Sequence, residues 1–95
     1  MDKKTRIKLR SLASTIKPVV MVGKDGFAEP VLNQIKEELF NHELVKISLL
    51  ENASLPNADE LNEICALLGA EVVTTIGRKI VIYKISEKKK IKHVL

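Results

Sequence analysis

The sequence predicts one small α/β domain in which three helices pack on a four-stranded mixed sheet. Helix-period and strand-period apolar patterns alternate along the chain in the order α-β-α-β-α-β-β. The last two strand-like runs meet across a tight glycine-containing turn, the mark of an antiparallel hairpin. With 95 residues, 45% hydrophobic and 29% charged, the chain can fill a single core but cannot build a deep cleft between two domains.

Helix one is predicted from Leu9, Leu12, Ala13 and Ile16, which follow the i, i+3, i+4, i+7 spacing of an amphipathic helix. Pro18 disfavours helical backbone just before it, so the helix is expected to end near Thr15. At about 100° per residue, Lys3, Arg6 and Arg10 fall within roughly 60° of one another beside the apolar stripe, and Lys4 and Lys8 lie elsewhere. That ridge fits a solvated helix face and a binding surface equally well.

"PVVMVG" is apolar on both alternating faces, which predicts a strand covered on both sides and therefore a central one. Helix two follows from Val31, Leu32, Ile35 and Leu39 and is predicted from about Pro30 to Asn41, with the proline tolerated in the first turn. "ELVKISLL" alternates, with Val45, Ile47 and Leu49 on one face and Lys46 and Ser48 on the other. Asn57 followed by Glu60 predicts a capping box that opens helix three; its stripe is Leu61, Ile64, Cys65 and Leu68, and Gly69 is its left-handed stop. "EVVTTI" and "KIVIYKI" flank Gly77 and Arg78 as the hairpin. Strands joined through helices two and three need crossovers, and the last pair is antiparallel, so the sheet is mixed.

Charge is distributed by position. Residues 1–24 hold seven cations against Asp2, and residues 78–95 hold seven against Glu87, so each end carries +6. Residues 25–77 hold Lys36 and Lys46 against ten acids, a net −8. If the fold joins the two ends, their field attracts a polyanion; otherwise they are merely solvated. No apolar run is long enough to span a bilayer, and charge interrupts the apolar residues of the N-terminus where a secretory signal needs continuity, so a cytosolic protein is expected.

Catalytic chemistry has little to work with. The lone Cys65 reads as a buried small hydrophobe. His42 and His93 are far apart in sequence and lack companions at metal spacing. The carboxylates at Glu37 and Glu38, and at Asp59, Glu60 and Glu63, form surface patterns. With Phe27, Phe40 and Tyr83 as its aromatics, the chain cannot build a stacking platform for successive bases. Phe27 is expected to anchor the entry to helix two in the core, and Tyr83 to pack on the sheet.

The feature left over is Gly23-Lys24-Asp25-Gly26, where a strand turns into a helix. Gly-x-x-Gly alone is weak, arising by chance roughly once in two or three chains of this size. In this context the glycines would let a sugar-phosphate backbone approach main-chain N–H groups at a helix N-terminus. Lys24 adds a cation, and Asp25 opposes it or stabilises the turn. A plain turn whose glycines only supply positive φ is the competing reading. Neither the P-loop nor the dinucleotide pattern is present. KH domains clamp single-stranded nucleic acid with such a loop, although theirs joins two helices.

"LRSLASTIKPVVMVGKDGFAEPVLNQIKEELFNHELVKISL" and "LGAEVVTTIGRKIVIYK" resemble the CRM domain, named for chloroplast RNA splicing and ribosome maturation, and in particular its small stand-alone bacterial YhbY-type members. The likeness runs from about Lys3 to Lys84. Its most specific parts are Leu9-Arg10, Lys17-Pro18, the loop Gly23 to Gly26, "HELVK" from His42 to Lys46, Gly77-Arg78 and Tyr83-Lys84. It implies a fold similar to the C-terminal domain of translation initiation factor three. It also implies RNA binding through the loop and neighbouring basic surface, and association with precursors of the large ribosomal subunit. Carried over by position, the RNA-binding set is Gly23, Lys24, Asp25 and Gly26 with Lys3, Arg6, Arg10, Lys17, Arg78 and Lys79. Ala28 replaces a frequent capping hydroxyl, and Lys84 replaces a frequent arginine.

Residues 1–86 are thus expected to form a CRM-like RNA-binding domain and residues 87–95 a loose basic tail. The expected protein is a non-catalytic, cytoplasmic monomer that binds ribosomal RNA and uses no cofactor or metal. The main alternative is a protein-interaction module whose basic ends serve solubility. A small hydrolase or transferase and a binder of duplex DNA are further alternatives.

Overall fold

Each helix starts and stops where its residues dictate in the computed structural model, which describes residues 1–88 and 93–95. Helix α1 (Lys3–Ala13) opens on Asp2, whose carboxylate accepts the Thr5 N–H at 2.7 Å. It closes two residues before Thr15, because the Ser14 and Thr15 hydroxyls turn back onto the carbonyls of Ser11 and Leu12 at 2.7 and 2.8 Å. Helix α2 (Glu29–His42) carries Pro30 in its first turn, and Ala28 supplies no capping oxygen. Helix α3 (Ala58–Leu68) has both arms of the capping box between Asn57 and Glu60, and it ends on Gly69 at φ 68°.

Strands β1 (Val20–Val22), β2 (Leu44–Leu49), β3 (Glu71–Ile76) and β4 (Lys79–Tyr83) form one sheet in the order β1-β2-β4-β3. β1 runs parallel to β2, while β4 is antiparallel to both β2 and β3. The expected crossovers and hairpin are therefore present. β1, however, is an edge strand and not the central strand read from "PVVMVG", because β4 inserts between β2 and β3 and leaves β1 a single partner. Val20 and Val22 are buried, but Met21 is 51% exposed. An apolar run looks the same in sequence whether its second face is covered or open.

Two cores lie on opposite sides of the sheet. Ile35 and Leu39 of α2 and Leu61, Cys65 and Leu68 of α3 pack on Val20, Val22, Val45, Ile47, Leu49, Ile80 and Ile82. On the other side Leu9 and Ala13 of α1 cover only Leu44, Val73 and Val81. Phe27 packs against the larger core and Tyr83 against the smaller, as expected. Burial pushes the Cys65 thiol pKa up, which keeps it protonated and unreactive.

The charge separated along the chain becomes a separation across the sheet. Helix α1 holds Lys3, Lys4, Arg6, Lys8 and Arg10 and no acid, whereas α2 and α3 hold Glu29, Glu37, Glu38, Asp59, Glu60 and Glu63 against Lys36. Among the described residues no helix is long and apolar enough to cross a membrane.

Behind the start of β2 lies Glu43, fully buried and held at φ 64°, ψ −40°, close to the strained γ-turn conformation. Its carboxylate accepts the Ser86 N–H at 2.6 Å and the Val94 N–H at 2.9 Å, and His93 Nδ1 lies 2.6 Å away. An ionised carboxylate can only accept, so His93 carries its hydrogen on Nδ1. Burial alone would raise the Glu43 pKa; the bonds from Ser86, His93 and Val94 outweigh it and hold the group below the ordinary glutamate range. In the tail expected to be loose, residues 87–95, His93 and Val94 make two of these contacts, and Lys88 Nζ donates to Asn41 at 2.6 Å. Lys89, Lys90 and Lys92, part of that expectation, lie outside the described residues.

Candidate nucleic-acid interface

The Gly23–Gly26 loop follows β1 directly. It is a tight turn closed by Gly26 N–H donating to Gly23 O at 3.0 Å, with Lys24 and Asp25 exposed at its tip. Gly26 sits at φ 65°, where only glycine is free of strain, yet a Cβ there would meet nothing within 4 Å. Gly23 differs: its φ lies outside the left-handed region, and a Cβ would meet only the side chains of Asn52 and Leu50 at 3.8 and 3.9 Å, ordinary contacts. The free fold therefore explains glycine at 26 and makes no such demand at 23.

Parallel pairing sets the segment after β2 next to this loop, and antiparallel pairing brings the β3–β4 turn to the same end of the sheet. Arg78 joins the two. Its Nε donates to Leu49 O at 3.2 Å, and its Nη2 donates to Leu50 O at 2.7 Å and to Ala53 O. The guanidinium thus holds the segment that walls the glycine loop. Arg78→Lys keeps the charge but loses the planar fork; its expected cost is about 2 kcal/mol, a fall of roughly 10 °C in Tm. A thermal melt that matched the parent would show that these carbonyl bonds do not brace the loop.

The fold divides the remaining sequence-selected residues. Lys79 is exposed beside the loop end, paired in register with Ser48. Lys3 and Arg10 are exposed on α1, but Arg6 between them is half-buried, its Nη1 donating to Val72 O at 2.7 Å and Val73 O at 3.1 Å. Those carbonyls lie at the irregularity in edge strand β3, so the cationic ridge is tied down at its middle. Lys3 and Arg6 stand at the β3 edge, opposite the edge that carries the loop. Lys17 lies before the start of β1, in a groove of about 610 Å³ shared with Leu12, Ile16, Val19 and Lys46.

Lys46 escaped the sequence selection. It sits on the polar face of a central strand, and that alternation was the available signal. His42 and His93, distant in sequence, also line the same groove. Among the described residues no Lys or Arg side chain forms an ion pair with an acid, and no three His, Cys, Asp or Glu side chains gather as a metal site. Chemically, the end of the sheet offers a protruding turn, Lys24, Lys79 and the braced Arg78. Asp25, Glu29 and Glu51 oppose them nearby. Such a surface can grip an anionic backbone.

The chain is similar to known proteins over most of its length. The model of the CRS1/YhbY (CRM) domain matches residues 1–84. A Bacillus subtilis (strain 168) protein named "Probable RNA-binding protein YqeI" is 37% identical over 82 residues, covering 86% of this chain and 85% of that one. A Haemophilus influenzae protein named "RNA-binding protein" is 37% identical over 83 residues, covering 87% and 84%. The solution structure of a Staphylococcus aureus protein put forward as RNA-binding superposes with a TM-score of 0.70 at 37% identity, covering 95% of this chain and 94% of that one.

Proposed function

Because the chain belongs to the CRS1/YhbY (CRM) domain family, we propose that it is a non-catalytic RNA-binding protein that grips ribosomal RNA in precursors of the large subunit and assists their assembly. The observation that carries this reading is Gly23. Neither backbone conformation nor packing asks for a glycine there, so the bare main chain at this position is free to serve a ligand that approaches from outside. A phosphodiester backbone meets it, with Lys24, Lys79 and the residual donors of Arg78 supplying positive charge. The names of the relatives support RNA as the partner, and the family resemblance points to the large subunit.

Sedimentation of a cell lysate tests the ribosomal part: the protein is expected to travel with free large-subunit precursors. Recovery only at the top of the gradient would remove that assignment. At matched salt, RNA should displace a labelled RNA probe at lower concentration than duplex DNA does.

One feature favours a second reading, a protein-docking surface. A hollow of about 550 Å³ on the α2/α3 side is rimmed by Phe40, Leu67 and Ile85, each about half or more exposed. RNA binding that is absent or insensitive to salt would move the assignment there.

A further inference from the structure

Helix α1 leaves part of its own side of the sheet uncovered. Strand register sets Met21, Ser48, Lys79 and Ile76 in one row across all four strands, and Met21 and Ile76 are 51% and 72% exposed. In the next row Lys46 pairs with Val81, which places Lys46 diagonally from Lys79 on the adjacent strand. Diagonal neighbours of this kind stand about 7–8 Å apart. No acid is paired to either among the described residues, so both ammonium groups are free to meet an anion. They make sense opposite a polyanion. Met21 in β1 and Val19 just before it, both exposed, connect the glycine loop to the groove that holds Lys46 and Lys17. Acids do not interrupt this line; Asp25 and Glu51 lie beyond its upper end, and the helices rich in glutamate and aspartate are on the other side of the sheet.

Resting on the RNA-binding reading, we propose that one unpaired RNA strand lies along this uncovered strip, its backbone tracking from Lys24 past Met21, Ser48 and Lys79 to Lys46 and Lys17. Seven residue steps separate Lys17 from Lys24, which at about 3.3 Å each gives roughly 23 Å. At about 3.4 Å per stacked nucleotide the footprint is about seven nucleotides. Among the described residues the strip has no Phe, Tyr or Trp, so the strand is held mainly by its phosphates, and Met21 provides an apolar contact tolerant of any base.

The test uses the full chain and labelled oligouridines of about three, seven and fourteen nucleotides. Affinity should climb steeply to about seven nucleotides and only slightly beyond. With the longest probe, Lys46→Ala should weaken binding several-fold and lower the slope of log affinity against log salt by about 0.7, one single-strand phosphate contact. Lys46→Arg should restore the slope, which separates lost charge from damaged folding. Met21→Ser should weaken binding at unchanged slope, and Lys36→Ala on α2 should change neither. An unchanged slope in Lys46→Ala while Lys24→Ala lowers it would overturn the strip and leave the loop clamp standing. Tighter binding to an RNA duplex than to oligouridine would overturn the unpaired strand. A wild-type chain that binds no RNA would overturn the strip and the proposed function together.

Discussion

The double substitution Gly23→Asp, Gly26→Asp is expected to lower RNA affinity by roughly 10- to 100-fold while leaving the domain folded. The loss corresponds to one or two hydrogen bonds to charged phosphate, at about 1.5–3 kcal/mol each, with new repulsion added at the tip of the turn. The structure makes the variant informative. At position 23 a side chain meets only ordinary contacts, and at position 26 it projects into open space. The φ of 65° at Gly26 is one that aspartate tolerates better than most residues, so the expected cost to stability is about 1 kcal/mol. Filter binding at matched salt alongside a thermal melt gives both readings. Equal affinity in a folded variant would sink the loop as the point of contact.

Glu43→Ala should be the most damaging single change to stability, at about 3–5 kcal/mol out of the roughly 5–15 kcal/mol of a typical domain. It removes the acceptor of the Ser86 N–H, the Val94 N–H and His93, and it leaves the φ of 64° in place. Glu43→Gly loses the same bonds but relieves the backbone, and so should recover about 1 kcal/mol relative to alanine. The pH dependence has a definite sign. The folded pKa lies below the ordinary glutamate value of 4.5, so the contribution is complete above that value and disappears as pH falls through the folded one. The gap in Tm between parent and Glu43→Gln should shrink in acid, as the pH falls through the folded pKa of Glu43. An alanine variant that melts within about 3 °C of the parent would remove Glu43 as the tie between the body of the domain and its tail.

Local rules made much of the fold legible. The Asn57–Glu60 capping box, the Gly69 stop and the Gly77 hairpin each follow from a few adjacent residues, and each is found in the structure. What stayed hidden depends on partners far along the chain. Glu43 read as one of ten acids in the middle segment, because its partners lie 43, 50 and 51 residues away. Arg6 entered the RNA-binding set as part of the cationic ridge on helix one and Arg78 through the family resemblance, yet a guanidinium fork suits any planar array of oxygen acceptors. Only the tertiary fold shows that main-chain carbonyls occupy much of each fork. Lys46 was visible as the polar half of an alternation, but its worth as a contact depends on how little of the sheet α1 covers.

Because α1 carries only cations while α2 and α3 are mainly acidic, the molecule has a front and a back. Near an RNA the field would swivel it before collision, raising the share of encounters that arrive productively aligned, an advantage that high salt erodes. The same arrangement turns a hostile reverse side toward any second nucleic-acid segment. Such a protein can sit on one strand, but it is poorly suited to cross-link two.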